Sequence, residues 1–188
     1  PAPATTEAPE TPPPNPLTQA LRIVRPGDSA TEGDGALGQT ALPPVQLPSP
    51  TRLQFDVTGQ ARLLHYRARA ELVWQHDGAR YQAQQSISAL FVGSRVQRST
   101  GRVGAHGLLP ERFSDKSRSE QAAHFDPAQG KVTFSANTPD AAIGPGAQDR
   151  LSVFIQVGGL LAAAPERYPT STQIHLTTVS ARAADRWT

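Results

Sequence analysis

The sequence predicts a mainly β fold: a strongly curved antiparallel sheet or half-barrel with one packed helix, preceded by a disordered proline-rich segment. Three observations predict it. Apolar and polar residues alternate from Thr51 onward, the period of a half-buried strand. Turn residues recur about every ten positions, the rhythm of an antiparallel sheet or barrel. One apolar stretch, Leu151 to Ala164, interrupted by Gln156 and two glycines, reads as a buried helix and falls short of a membrane span.

Residues 1–50 form the first expected unit, a tether. Twelve of the eighteen prolines fall here, among them Pro12-Pro13-Pro14 and Pro43-Pro44. Such a segment lacks the apolar surface to offset its ordering entropy, and polyproline stretches reach about 3.1 Å per residue. Within it, Leu17, Leu21 and Val24 fall near one helical face and suggest a short partner-binding turn.

Residues 51–188 form the second unit, a β-rich domain. Leu53, Phe55 and Val57 alternate with polar residues. Next, Tyr66, Ala68, Ala70, Leu72 and Trp74 make one face of a long strand, with His65, Arg67, Arg69, Glu71 and Gln75 on the other. His76-Asp77-Gly78-Ala79 supplies hairpin chemistry, because Asp and Gly tolerate the positive φ of a tight turn. The returning strand sets Tyr81, Ala83, Ile87, Ala89 and Phe91 against Arg80, Gln82, Gln84, Ser86 and Ser88. Further strands are predicted at Arg95–Val103, Glu111–Lys116, Glu120–Phe125 and Lys131–Ala136.

A Gly/Pro loop, Thr138 to Ala147, leads to a helix over Gln148–Ala163, with Asp149 placed to cap its first turn. Gly158-Gly159 weakens that helix by about 1 kcal/mol per glycine and is expected to kink it. A last strand, Thr172–Ser180, precedes Ala183–Thr188, where Trp187 begins a strand with no room to pair. On that ground the domain is expected to be C-terminally truncated, with an exposed sheet edge.

Composition narrows the chemistry. With no cysteine there is neither a disulfide framework nor a thiolate metal site, and such a chain suits an oxidising compartment. With no methionine, residue 1 is not a translation start, so an upstream signal peptide or anchor is expected. Residues 1–50 carry two arginines against five acids, a net of −3, which leaves residues 51–188 at +5. That bias suits anionic surroundings such as lipid headgroups or acidic glycans.

The catalytic patterns fail on spacing. There is no G-x-S-x-G elbow, and Gly101-Arg102-Val103-Gly104 lacks the third glycine of a dinucleotide fingerprint. His65, His76, His106, His124 and His175 lack a short ligand spacing, so no metal or other cofactor is expected. Arg95, Arg98 and Arg102 cluster without aromatic neighbours, which argues against nucleic acid. The block Glu111 to Glu120 alternates in charge, and two readings stay open. Its charges form a solvated ion-pair network, or Arg112, Lys116 and Arg118 make a cationic rim for a phosphate or carboxylate headgroup.

Arg112 to Glu120, the hairpin from His124-Phe125-Asp126-Pro127 to Val132-Thr133-Phe134, and Gln148-Asp149-Arg150-Leu151-Ser152-Val153 before an apolar helix together resemble proteobacterial domain-of-unknown-function family 3108. The resemblance spans about residues 51–188. It implies export to the periplasm and an architecture similar to lipoprotein carriers, in which a curved sheet wraps around helices and makes an apolar cavity.

Together these point to a non-catalytic periplasmic envelope protein, bound to the membrane only through its missing N-terminal anchor. The apolar concave face, with Tyr66, Trp74, Tyr81, Ile87 and Phe91, is expected to hold the helix and to bind or carry a lipid or other amphiphile. The alternative is a structural module that docks another envelope protein, with the proline-rich part as spacer.

Overall fold

The computed structural model describes Asn15, Leu17 and residues 19–26, 43–61, 64–89 and 93–188, with the backbone alone at 61 and 64–66. Most of the proline-rich segment, and with it the expected tether, therefore lies outside the described residues. The protein is mainly β, with one helix and a strongly curved sheet.

Eight strands follow one another in chain order as an antiparallel meander. They are β2 (Thr51–Ala61), β3 (Leu64–His76), β4 (Arg80–Ala89), β5 (Gly93–Gly104), β6 (Gly107–Lys116), β7 (Glu120–Asp126), β8 (Lys131–Phe134) and β9 (Ala141–Ala142). A smaller sheet is built on β11 (Gln173–Val179), which pairs antiparallel with β1 (Arg22–Val24) and β12 (Ala184–Trp187), and parallel with β10 (Gln148–Asp149). The helix α1 is Ser152–Ala163.

The β3–β4 hairpin closes as the Asp-Gly chemistry requires. Asp77 Oδ1 accepts the backbone N–H groups of Ala79 (2.8 Å) and Arg80 (2.7 Å), and Gly78 sits at φ +89°. Register puts Trp74 opposite Ala83, Ala83 opposite Ser99, and Ser99 opposite Phe113, so one row of side chains crosses four strands on one face. Helix α1 packs on that row, bringing Leu151 and Ile155 against Trp74, Tyr81, Ala83, Leu108 and Phe113. A second cluster, Ala123, Val132, Ile143, Ala147 and Val179, ties the far end of the meander to β11.

Four details differ from the sequence expectation. The end of the Leu17–Val24 stretch is strand and no part of a helical turn, because Arg22–Val24 finds backbone partners at Gln173–His175. Chain before Thr51 joins the domain as well: the Gln46 N–H donates to the Gly159 carbonyl at 3.0 Å, and Leu47 packs on the core. Gly159 is bare for that reason, since a Cβ there would come within 2.6 Å of Val45, and α1 runs unbroken through it. Finally, Trp187 does have a strand partner, for β12 pairs with Leu176–Val179. Among the described residues, the free long edge of the meander lies instead at β2.

Candidate functional site

The concave face predicted to hold a ligand is already filled where its large aromatics lie. Trp74 and Tyr81 are 3% and 4% exposed, their rings 5.7 Å apart, under α1. Trp74 Nε1 donates to the Pro48 carbonyl at 2.9 Å. These two residues therefore form core, and the helix is what they hold. Ile87 is exposed and takes no part in that cluster. The Tyr66 side chain and Phe91 lie outside the described residues.

Tyr81 also begins a buried polar chain. Its hydroxyl lies 2.9 Å from Ser99 Oγ, and Ser99 Oγ donates to Asp149 Oδ2 at 2.5 Å. Because the single Ser99 proton goes to the carboxylate, Tyr81 is the donor in the first bond. Asp149 Oδ1 accepts the N–H groups of Leu151 and Ser152, both at 2.8 Å. Asp149 thus holds the amide of the first helical residue without standing at the N-cap, which is Leu151, for the helix begins at Ser152 and Gln148–Asp149 is strand β10.

Asp149 is fully buried, and burial pushes its carboxyl above the usual range against the pull of hydrogen bonds from Ser99, Ser152 and Leu151. Burial, and then the charge of Asp149, also raise the Tyr81 hydroxyl well above its usual value. Ser99 is sealed in with them, 0% exposed. A serine beside a carboxylate without solvent access fixes the helix to the sheet and offers a substrate no approach.

An open apolar cavity does exist, at the other end of β6. Strands β6 and β7 pair from Lys116–Glu120 to Arg112–His124 and then part, which leaves Gly107–Glu111 without a strand partner on that side among the described residues. A bulge between Thr100 and Gly101 shifts the β5–β6 register at the same level, the usual means of bending a strand away from its neighbour. The loop 143–147 crosses the gap, tied by the Ile143 N–H to the Gly130 carbonyl (2.8 Å) and by the Gly144 N–H to the Leu17 carbonyl (3.0 Å).

The resulting cavity measures about 480 Å³. Leu109, Pro110, Phe125, Ile143 and Ala147 line it, with Arg102, His106 and Glu111 as its polar members. A few polar groups beside an apolar lining of this size is the usual form of a small-molecule site.

Two glutamines hold the β5–β6 hairpin that forms one wall. Gln156 Oε1 accepts the Leu108 N–H (2.8 Å), and its Nε2 donates to the His106 carbonyl (2.9 Å). Gln148 Nε2 donates to the Leu108 carbonyl (2.9 Å). Gly107, at φ +103°, makes room for this clamp, since a Cβ there would lie 2.1 Å from Gln156 Oε1. At the polar side, Glu111 pairs with Arg102 (2.9 Å) and Arg80 (3.4 Å), two cations on one carboxylate.

The predicted cationic rim is not gathered around this cavity. Arg112 is taken up by an ion pair with Glu120, whose carboxyl is held below the usual range first by that hydrogen bond. Lys116 lies at the far end of β6 and Arg118 in the turn after it, both exposed. The ion-pair reading of the block therefore describes Arg112 and Glu120.

Among the described residues, no group of three or more His, Cys, Asp or Glu could hold a metal ion. Among them, too, no helix is long and apolar enough to cross a membrane. Comparison with models of protein families, with curated proteins and with solved structures finds no match to this chain.

Proposed function

We propose that this chain is a non-catalytic binding protein of the bacterial periplasm, and that it takes the apolar part of an amphiphile into the cavity between β6, β7 and the 143–147 loop. The observation that carries the reading is the parting of two strands around an apolar space of about 480 Å³, large enough for a small ligand. Arg102 at its polar side suits an anionic headgroup, with Arg80 balancing Glu111. The resemblance to the exported family, with its carrier-like architecture, supports both the ligand class and the compartment. The sealed Ser99–Asp149 pair supports a role without catalysis.

The test is titration with a dansyl-labelled long-chain fatty acid. Leu109 is 45% exposed at the cavity, so Leu109→Trp fills the space with little cost to folding. The probe should bind the wild type with a blue-shifted emission and bind Leu109→Trp at least about tenfold more weakly. A probe that does not bind, or that binds both proteins alike, refutes the assignment.

A further inference from the structure

We propose that the outer edge of β2 is the seam of a two-fold homodimer, in which β2 pairs antiparallel with β2 of a second copy. Among the described residues, β2 pairs with β3 along its whole length and no strand pairs with its other side. An exposed strand edge offers a row of unpaired backbone groups to another strand. This one is eleven residues long, without lysine or proline to protect it. Its apolar face is also bare: Leu53 and Phe55 are 43% and 46% exposed, and Ile87, two strands inward in the row of Phe55, is 38% exposed.

Charge decides for a second copy and selects the register. When Gln54 faces its own copy, Arg52 of each chain faces Asp56 of the other, twice by symmetry, and Leu53 of each faces Phe55. Moving the centre to Phe55 sets Asp56 against Gln54 and Arg52 against Thr58. Centring on Asp56 brings two carboxylates together. Slips by one residue place apolar side chains opposite polar ones.

The chosen register also ends where the chain requires. Pro50 has no N–H to give, so pairing stops at Thr51, which faces Val57. Asp56 makes no ion pair among the described residues, and Arg52, though bound to Glu71 at 2.7 Å, keeps 67% of its side chain exposed. Seven paired residues per chain is a small contact, so the dimer is reversible and depends on concentration.

Sedimentation equilibrium over a concentration series tests this with Asp56→Arg, Arg52→Asp and the double variant. Each single reversal should raise the dimer dissociation constant about tenfold or more, by setting like charges opposite one another twice. The double variant should return to within about threefold of wild type. Far-UV circular dichroism checks that each variant is folded.

A second measurement does not depend on those charges. The chain has no cysteine, so Gln54→Cys should oxidise to a disulfide-linked dimer, whereas Thr58→Cys, far from its own copy, should not. A wild type monomeric throughout the series overturns the proposal. So does a dimer indifferent to the reversals, one that the double variant fails to restore, or cross-linking at 58 in place of 54.

Discussion

Replacing Asp149 should separate the cost of losing its hydrogen bonds from the cost of burying its charge. Asp149→Ala leaves the N–H groups of Leu151 and Ser152 without their acceptor and the Ser99 hydroxyl without its own, all in the interior. Ser99 can turn its proton to Tyr81, but the two amides have nowhere to turn. Each buried orphan costs about 1–3 kcal/mol, and relief from burying a carboxylate offsets part of it, so a net loss of about 2–4 kcal/mol is expected. Asp149→Asn keeps an acceptor for the amides, and its NH2 can donate to Ser99 if Ser99 donates to Tyr81. The reversed chain should keep stability within about 1 kcal/mol of wild type.

The same pair of variants carries a pH signature. The Asp149 carboxyl holds its proton to higher pH when folded than in the unfolded chain, where an aspartate titrates near about 3.9. The folded state therefore binds more protons in that window. The contribution of this group is fully present below the unfolded value and is lost as pH rises through the folded one. Urea denaturation across acid and neutral pH should show the decline in the difference between wild type and Asp149→Asn, since Asp115 and the other depressed carboxyls contribute alike to both. An Ala variant within about 1 kcal/mol of wild type, or an Asn variant as unstable as the Ala variant, refutes the reasoning.

Gly107→Ala should cost about 2–4 kcal/mol in urea denaturation, since it strains a φ of +103° and expels the Gln156 amide from its two partners on the hairpin. Gln156→Ala in the Gly107→Ala background should then cost less than it does in wild type, a non-additivity that a double-mutant cycle reads directly. Arg95→Ala should raise the Asp115 carboxyl toward its ordinary value in an NMR titration, because the Arg95 hydrogen bond is the chief cause of its depression. Asp115 contributes stability above its unfolded pKa and loses it as pH falls through the folded one, so that acid loss should shrink in the variant. With Arg95 58% exposed, the change at neutral pH should stay near about 1 kcal/mol.

Much of the meander was legible because period-two alternation is a local signal. Tyr81 and Ala83 face the helix as the pattern indicates, and the Asp77-Gly78 turn closes the hairpin it marks. What alternation cannot report is which occupant covers an apolar face. Trp74 and Tyr81 have the pattern of cavity walls and of helix-packing core alike, and only the three-dimensional path of α1 distinguishes them.

The cavity was missed for a related reason. Its lining comes from the ends of strands and from the 143–147 loop, segments with no period of their own. The local signs were Gly104 and Gly107 around a two-residue turn, and Pro110 inside a strand, where a bulge or a free edge is needed. Strand pairs that begin late, as β6–β7 does at Arg112, are set by long-range register and leave no mark in either strand alone.

The two proposed surfaces lie on different seams of one sheet, and this makes them separable. The cavity opens between β6 and β7, whereas the dimer edge belongs to β2, with β3, β4 and β5 between β2 and β6. A sheet extended through β2 therefore leaves the cavity lining and the Gln148–Gln156 clamp unchanged. Asp56→Arg should lower the association of two chains and leave fatty-acid titration as it was, while Leu109→Trp should do the reverse. If a charge reversal at position 56 also weakened the probe, the ligand would have to lie on the exposed Leu53, Phe55 and Ile87 face, where the bare apolar rows meet Arg95. The cross-comparison thus assigns the ligand to one of two apolar surfaces, since only one of them borders β2.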